Sequence, residues 1–187
     1  MLGLAQIESG DVDFDGVPIK DVALNTTRLR TIAVPQDPLI LPGTVRFNMD
    51  PLSEHDDAAI ILSLEEVGIL DTINSRGGLD AQLEAMSLSR GQQQLFCLAR
   101  ATLGNSRIVL LDEVTSSVDA ATEAKMMEVV EKRFEGRTIV AVAHHLETLR
   151  DFDMIVVLDK GRLIETGSPK ELLGRQSVFR ELWEKQH

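Results

Sequence analysis

An α/β fold built on a parallel sheet is predicted by two stretches of this 187-residue chain and by the alternation of elements around them. The first stretch is Leu88-Ser89-Arg90-Gly91-Gln92-Gln93-Gln94-Leu95. It is a small, polar, glycine-containing turn opening a helix that becomes apolar at once with Leu95, Phe96, Cys97, Leu98 and Ala99. The second is Ile108-Val109-Leu110-Leu111-Asp112-Glu113, an apolar buried-strand run ended by two adjacent carboxylates. Strands and helices alternate on either side of this pair, as in an α/β protein.

The elements follow in order. Asp11 to Gly16 alternates with period two and stops at a turn glycine, which predicts an edge strand. Arg30 to Val34 is a short buried strand halted by Pro35. From Leu52 the pattern turns helical: Ser53 and Asp56 form an S-x-x-D start, and Ile60, Ile61, Leu64 and Val67 make one apolar face up to Gly68. Gly77 and Gly78 open an irregular stretch that ends at the helix after Leu88, which stops near Gly104. Strand Ile108–Leu111 comes next. A helix then runs from about Asp119 to Phe134, with Met126, Val130 and Phe134 on one face and Gly136 as its stop. Thr138–Ala143 is a strand, and Met154–Leu158 and Leu163–Glu165 flank the hairpin turn Asp159-Lys160-Gly161. The tail from Pro169 to Trp183 reads as helical.

Bulk properties narrow the class. Hydrophobic content of 43% and charged content of 26% are those of an ordinary globular domain with a substantial core. A net charge of −11 argues against a nucleic acid held through its phosphates, which calls for clustered Lys and Arg. Cys97 is the only cysteine, so no internal disulfide forms, and its apolar setting predicts a buried structural thiol. No run approaches the ~20 apolar residues that span a bilayer. The start lacks the charged region of a signal peptide, so direct membrane insertion of this chain is not expected.

Leu88–Leu95 closely resembles the LSGGQ-type signature of ATP-binding cassette (ABC) ATPases, and Leu110-Leu111-Asp112-Glu113-Val114-Thr115-Ser116-Ser117-Val118-Asp119 resembles their Walker B strand, catalytic glutamate and D-loop. Val34-Pro35-Gln36-Asp37-Pro38 is similar to the Q-loop, and Ala141-Val142-Ala143-His144-His145-Leu146 to the switch-histidine loop. Gly43 to Pro51 resembles the second nucleotide-binding domain of the C subfamily, the multidrug-resistance-associated exporters. The likeness runs from about Met1 to Trp183. It implies a P-loop NTPase core with a parallel sheet, and an inserted helical subdomain at about residues 37 to 104 within a single domain spanning 1–187.

Each candidate residue has a chemical reason. Asp112 and Glu113 leave the carboxyl end of a strand, where α/β proteins bind ligands. The resemblance implies that Asp112 holds Mg²⁺ through water and that Glu113 orients or deprotonates the attacking water. A solvated strand end is the plainer alternative. His144 is matched to the histidine that contacts the γ-phosphate and the attacking water. Gln36, bounded by two prolines, is matched to the amide that reaches Mg²⁺ or water. A helix N-terminus carries partial positive charge and free N–H donors, so Ser89, Gly91 and Gln92 suit a phosphate. By resemblance they bind the γ-phosphate of ATP held by a second cassette; if that face is surface-exposed, substitution of Gly91 is expected barely to change folding. Asp119 matches the D-loop aspartate and is equally a helix N-cap.

One motif is missing. A Walker A loop reads G-x-x-x-x-G-K-S/T, its backbone cradling phosphate and its Lys reaching the β/γ oxygens. None of Lys20, Lys125, Lys132, Lys160, Lys170 and Lys185 is followed by Ser or Thr. Met1 falls, by resemblance, inside the helix after that loop, so the reading is of a cassette incomplete at its N-terminus. In the family the Walker A strand lies between the strands here ending at Ala143 and Leu158, and its loss exposes backbone edges. The expected cofactors are ATP and Mg²⁺. The expected partners are a second cassette paired head to tail and the transmembrane domains of an exporter, at the cytoplasmic face of a membrane. The alternatives are a non-hydrolysing regulatory cassette, a non-functional remnant and, less favoured by the charge, a cassette ATPase of DNA repair or translation.

Overall fold

The computed structural model describes residues 10–186, and the chain divides into two compact units, Met1–Val142 and Ala143–His187. In the first unit, β1 (Asp13–Phe14) and β2 (Val17–Pro18) form a small antiparallel hairpin around Asp15 and Gly16, both at positive φ. The edge strand expected over Asp11–Gly16 is thus confined to two residues. Helix α1 (Leu24–Leu29) leads into β3 (Thr31–Val34). Four helices follow: α2 (Val45–Met49), α3 (Asp57–Glu66), α4 (Leu70–Ser75) and α5 (Arg90–Leu103). The chain then enters β4 (Ile108–Asp112), α6 (Ala120–Arg133) and β5 (Thr138–Val142).

Strands β3, β4 and β5 form one parallel sheet in that order, with Val34 opposite Leu111 and Leu111 opposite Ala141. Val109 and Leu111 are buried in the central strand, and Phe96, Leu98 and Ala99 of α5 are wholly buried in the same core. Among the described residues β5 pairs with β4 alone, and Val140 and Val142 on it stand 41% and 57% exposed. Among the described residues β5 is thus the last strand of this sheet on its side, and the face that carries Val140 and Val142 is only partly covered.

Local chemistry explains the helix ends. Asp56, not Ser53, caps α3: its carboxylate accepts from Ala59 N at 2.8 Å, while Ser53 sits four residues outside the helix at φ 55°. The apolar face is narrower than expected, because Ile60 and Leu64 are buried and Ile61 is 39% exposed. The stretch before Gly77 is helical (α4), and two short 3₁₀ turns, Gly78–Asp80 and Glu84–Met86, occupy the region expected to be irregular. Asn48 and Ser63, both wholly buried, find partners for their polar groups. Asn48 accepts from Leu41 N and donates to the carbonyls of Leu41 and Thr44, and Ser63 donates to Ala99 O at 2.5 Å.

Cys97 is 3% exposed on α5, and burial pushes its thiol pKa up against the opposing pull of Arg100. A neutral, covered thiol is a poor nucleophile. Alkylation by iodoacetamide at pH 7.5 is therefore expected to run at least about a hundredfold slower in the native chain than in denaturant. Equal rates, read by mass spectrometry, would place Cys97 outside the core.

The second unit pairs β6 (Ile155–Asp159) with β7 (Arg162–Gly167) in an antiparallel hairpin, followed by α7 (Pro169–Leu173) and α8 (Val178–Gln186). The tail is thus two helices. Ser168 and Glu171 form a capping box that opens α7, and the chain between α7 and α8 turns through Gly174 and Ser177. Ile155, Leu172 and Phe179 make this unit's core, with Leu146, Leu149 and Trp183 packed against it.

Candidate functional site

The site in the first unit begins with strand register. Because Val34 lies opposite Leu111, Gln36 and Glu113 each stand two residues beyond the same paired position at the carboxyl end of the sheet. Gln36 Nε2 donates to Glu113 Oε2 at 2.6 Å, joining residues 77 apart in sequence. Glu113 is one of the few non-glycine residues at positive φ, 47°. That conformation costs roughly 1–3 kcal/mol and persists where neighbours hold it. Here Glu113 N donates to Val142 O at 2.8 Å and Ser116 N donates to Glu113 O at 3.1 Å. Asp112, the last residue of β4, is exposed beside them.

Helix α5 starts at a complete capping box. Ser89 Oγ accepts from Gln92 N at 3.2 Å and Gln92 Oε1 accepts from Ser89 N at 3.0 Å. Two of the three residues matched to the phosphate contact thus also cap their own helix. Gly91 has a further reason to be glycine besides close approach of a ligand. A Cβ there would lie 2.8 Å from Ser117 O and 3.0 Å from Val118 Cγ1. The condition of a free surface is not met at Gly91: the helix start packs against the loop between β4 and α6, so a side chain there disturbs that packing.

That loop ends at Asp119, the N-cap of α6. Asp119 accepts from Ala121 N (3.1 Å), Thr122 N (3.0 Å) and Thr122 Oγ1 (2.9 Å). The amide and hydroxyl of Thr122 hold its carboxyl below the ordinary value. The cap is present, as one of its two expected roles requires.

Two residues of α5 that the sequence leaves unassigned, Gln94 and Arg90, join this arrangement. Gln94, 1% exposed, donates to Ser116 Oγ and accepts from Ser117 N, both at 3.2 Å. Arg90 pairs with Asp37, the neighbour of Gln36, at 2.5 Å. The one available signal for Gln94 is its place three residues after Gly91, on the same helix face, beside a wholly apolar run.

His144 is the second residue of the second unit. It is exposed, its ring meets His145 edge to face at 5.7 Å, and its carbonyl accepts from Gln186 Nε2 at 2.7 Å.

No group of three or more His, Cys, Asp or Glu is placed to hold a metal among the described residues. The donors at the sheet end are two carboxylates and an amide. That set fits Mg²⁺, which keeps waters and is held through one or two carboxylates plus substrate phosphates, and does not fit an all-protein cage.

Residues 1–116 match the family described as "ABC transporter". The chain is 44% identical over 94% of its length to ABC multidrug transporter B of Aspergillus fumigatus, covering 12% of that protein. It is 41% identical over 92% of its length to ABC transporter C family member 8 of Dictyostelium discoideum, covering 11% of it. The chain thus spans only about an eighth of the curated relatives it matches. Among solved structures, a bacterial Atm1-family ABC exporter with ATP bound superposes on 99% of the chain with a TM-score of 0.92 and 30% identity, over 33% of that chain. The mixed α/β architecture with its parallel sheet is that of an exporter's nucleotide-binding domain. This chain belongs to the ABC transporter family.

Proposed function

We propose that this chain is the ATP-binding and ATP-hydrolysing cassette of an ABC exporter of the C subfamily, acting at the cytoplasmic face of a membrane with transmembrane domains and a second cassette. The observation that carries the reading is the Gln36–Glu113 hydrogen bond at the carboxyl end of parallel β3 and β4. It supports Glu113 as the group that activates water and Gln36 as the amide that reaches Mg²⁺ or that water. Asp112 holds Mg²⁺, and His144 contacts the γ-phosphate. Ser89, Gly91 and Gln92 meet the γ-phosphate of ATP on the second cassette, with Asp119 beside the shared site. Residues from about 37 to 104, which include α2 to α5, are the helical subdomain. Likeness to the Dictyostelium C family member supports the subfamily.

A second reading has its own observation. The start of α5 is a complete capping box packed against the β4–α6 loop, so the signature face is built from its own helix and loop. That feature suits a cassette that offers its signature face to a partner's nucleotide. No helix among the described residues is long and apolar enough to cross a membrane.

One experiment tests both halves. The 187-residue chain is mixed with a complete cassette domain that carries Walker A and has its own signature disabled. The chain alone is expected to show no saturable ATP binding in the micromolar range by calorimetry and no hydrolysis. The mixture is expected to recover hydrolysis in proportion to the chain added. A well-folded chain that never rescues is a remnant, and micromolar ATP binding by the chain alone would overturn the account of its phosphate site.

A further inference from the structure

We propose that Gln94 is a positioning residue that locks the β4–α6 loop onto the start of α5, so that the signature residues and Asp119 present one rigid surface. The proposal rests on the functional reading in which that surface meets a partner's nucleotide.

Gln94 is the largest buried polar side chain of α5, 1% exposed among Leu95, Phe96 and Leu98. A buried amide with unmet donors is costly, so its partners define its place. Both lie on the β4–α6 loop. Its Nε2 donates to Ser116 Oγ and its Oε1 accepts from Ser117 N. One helical turn earlier, Gly91 leaves room for Ser117 O, where any Cβ would intrude at 2.8 Å. Ser117 is therefore gripped by its amide at Gln94 and admitted by its carbonyl at Gly91.

The grip reaches in two directions. Forward, Val118 N donates to Thr115 O and Asp119 caps α6, so the loop has few free dihedrals before Asp119. Backward, Ser116 N closes a turn on the carbonyl of Glu113, the residue held at φ 47°. Releasing Ser116 and Ser117 loosens Asp119 relative to Ser89, and loosens the backbone that aims Glu113. Gln94 needs no contact with a ligand. It acts through the loop.

The test uses the full chain and two readouts. Gln94→Leu keeps volume and removes both hydrogen bonds, and Ser116→Ala removes one without touching the core. Exchange of the Ser117 amide, followed by NMR without nucleotide, is expected to quicken at least about tenfold in Gln94→Leu, the order of one lost buried hydrogen bond. In the mixing experiment, turnover at saturating chain is expected to fall about tenfold, with the ATP concentration for half-maximal rate unchanged. A lost folded fraction shifts only the amount of chain needed for saturation, so the plateau separates positioning from stability. Should Gln94→Leu not fold, Ser116→Ala carries the same test, with a smaller fall in the same plateau. Unchanged Ser117 exchange would overturn the clamp itself. Faster exchange with an undiminished plateau would reduce Gln94 to a packing residue. Absence of rescue by the unsubstituted chain, with protected Ser117, would instead sink the functional reading on which the proposal stands.

Discussion

Turnover should fall about a hundredfold or more when Glu113 is replaced by glutamine in a cassette made by joining a Walker A segment ahead of this chain, while ATP binding is preserved. The structure sharpens why. Gln36 donates its amide hydrogen to Glu113 Oε2, and a glutamine at 113 still offers a carbonyl oxygen to that donor. The positive φ of Glu113 and its backbone bonds to Val142 and Ser116 do not depend on the carboxylate. The substitution therefore keeps the geometry and removes only basicity, which is what general-base removal requires. Steady-state hydrolysis together with nucleotide titration reads both quantities. An unchanged turnover number would remove Glu113 from the chemistry.

Gly91→Asp is expected to abolish rescue in the mixing experiment and also to lower the unfolding temperature. A carboxylate at the helix start opposes a phosphate where backbone N–H groups are needed. Its Cβ also meets the Ser117 carbonyl, which is backbone and yields only if the β4–α6 loop moves. Overpacking of this kind costs about 1–3 kcal/mol. Gly91→Ala separates the two effects, since it adds the Cβ without the charge. Thermal unfolding by circular dichroism is expected to show both variants destabilised. Alanine should retain part of the rescue and aspartate none. Native-like stability of Gly91→Ala would show that the loop accommodates the Cβ, and rescue surviving in Gly91→Asp would show that the signature is not the contact.

Much of the fold is legible in the residues themselves, and the departures share a cause. The strands at Ile108 and Thr138 and the helices ending at Gly104 and Phe134 lie within a residue or two of their expected places, because long apolar periods and end signals are local. Ser53 resembles a cap because Ser and Asp are both favoured at a helix start, and only the bond from Ala59 N to Asp56 chooses between them. Helices α1, α2 and α4 leave no periodic signal because each has only five or six residues, too few for a period to show. The site is legible as a set of residue types but not as contacts. Gln36 and Glu113 each stand out in the sequence, while nothing in it foretells their hydrogen bond.

Neighbouring residues alone specify the α/β class, the strand that ends in Asp112 and Glu113, and the capped helix that begins at Ser89. They also show that none of the six lysines sits in a phosphate-gripping motif. These are local properties, set by side-chain periodicity, capping chemistry and composition. It takes the folded chain to bring Gln36 to Glu113, to make Gly91 small for the sake of Ser117, and to tie α5 through Gln94 to the loop before Asp119. Those contacts depend on which strand lies beside which and in what register. They depend also on how closely a helix approaches a loop more than twenty residues away. Such choices are made by burial of the whole core, with Val109, Phe96 and Leu98 at its centre, and no local stretch of chain specifies them.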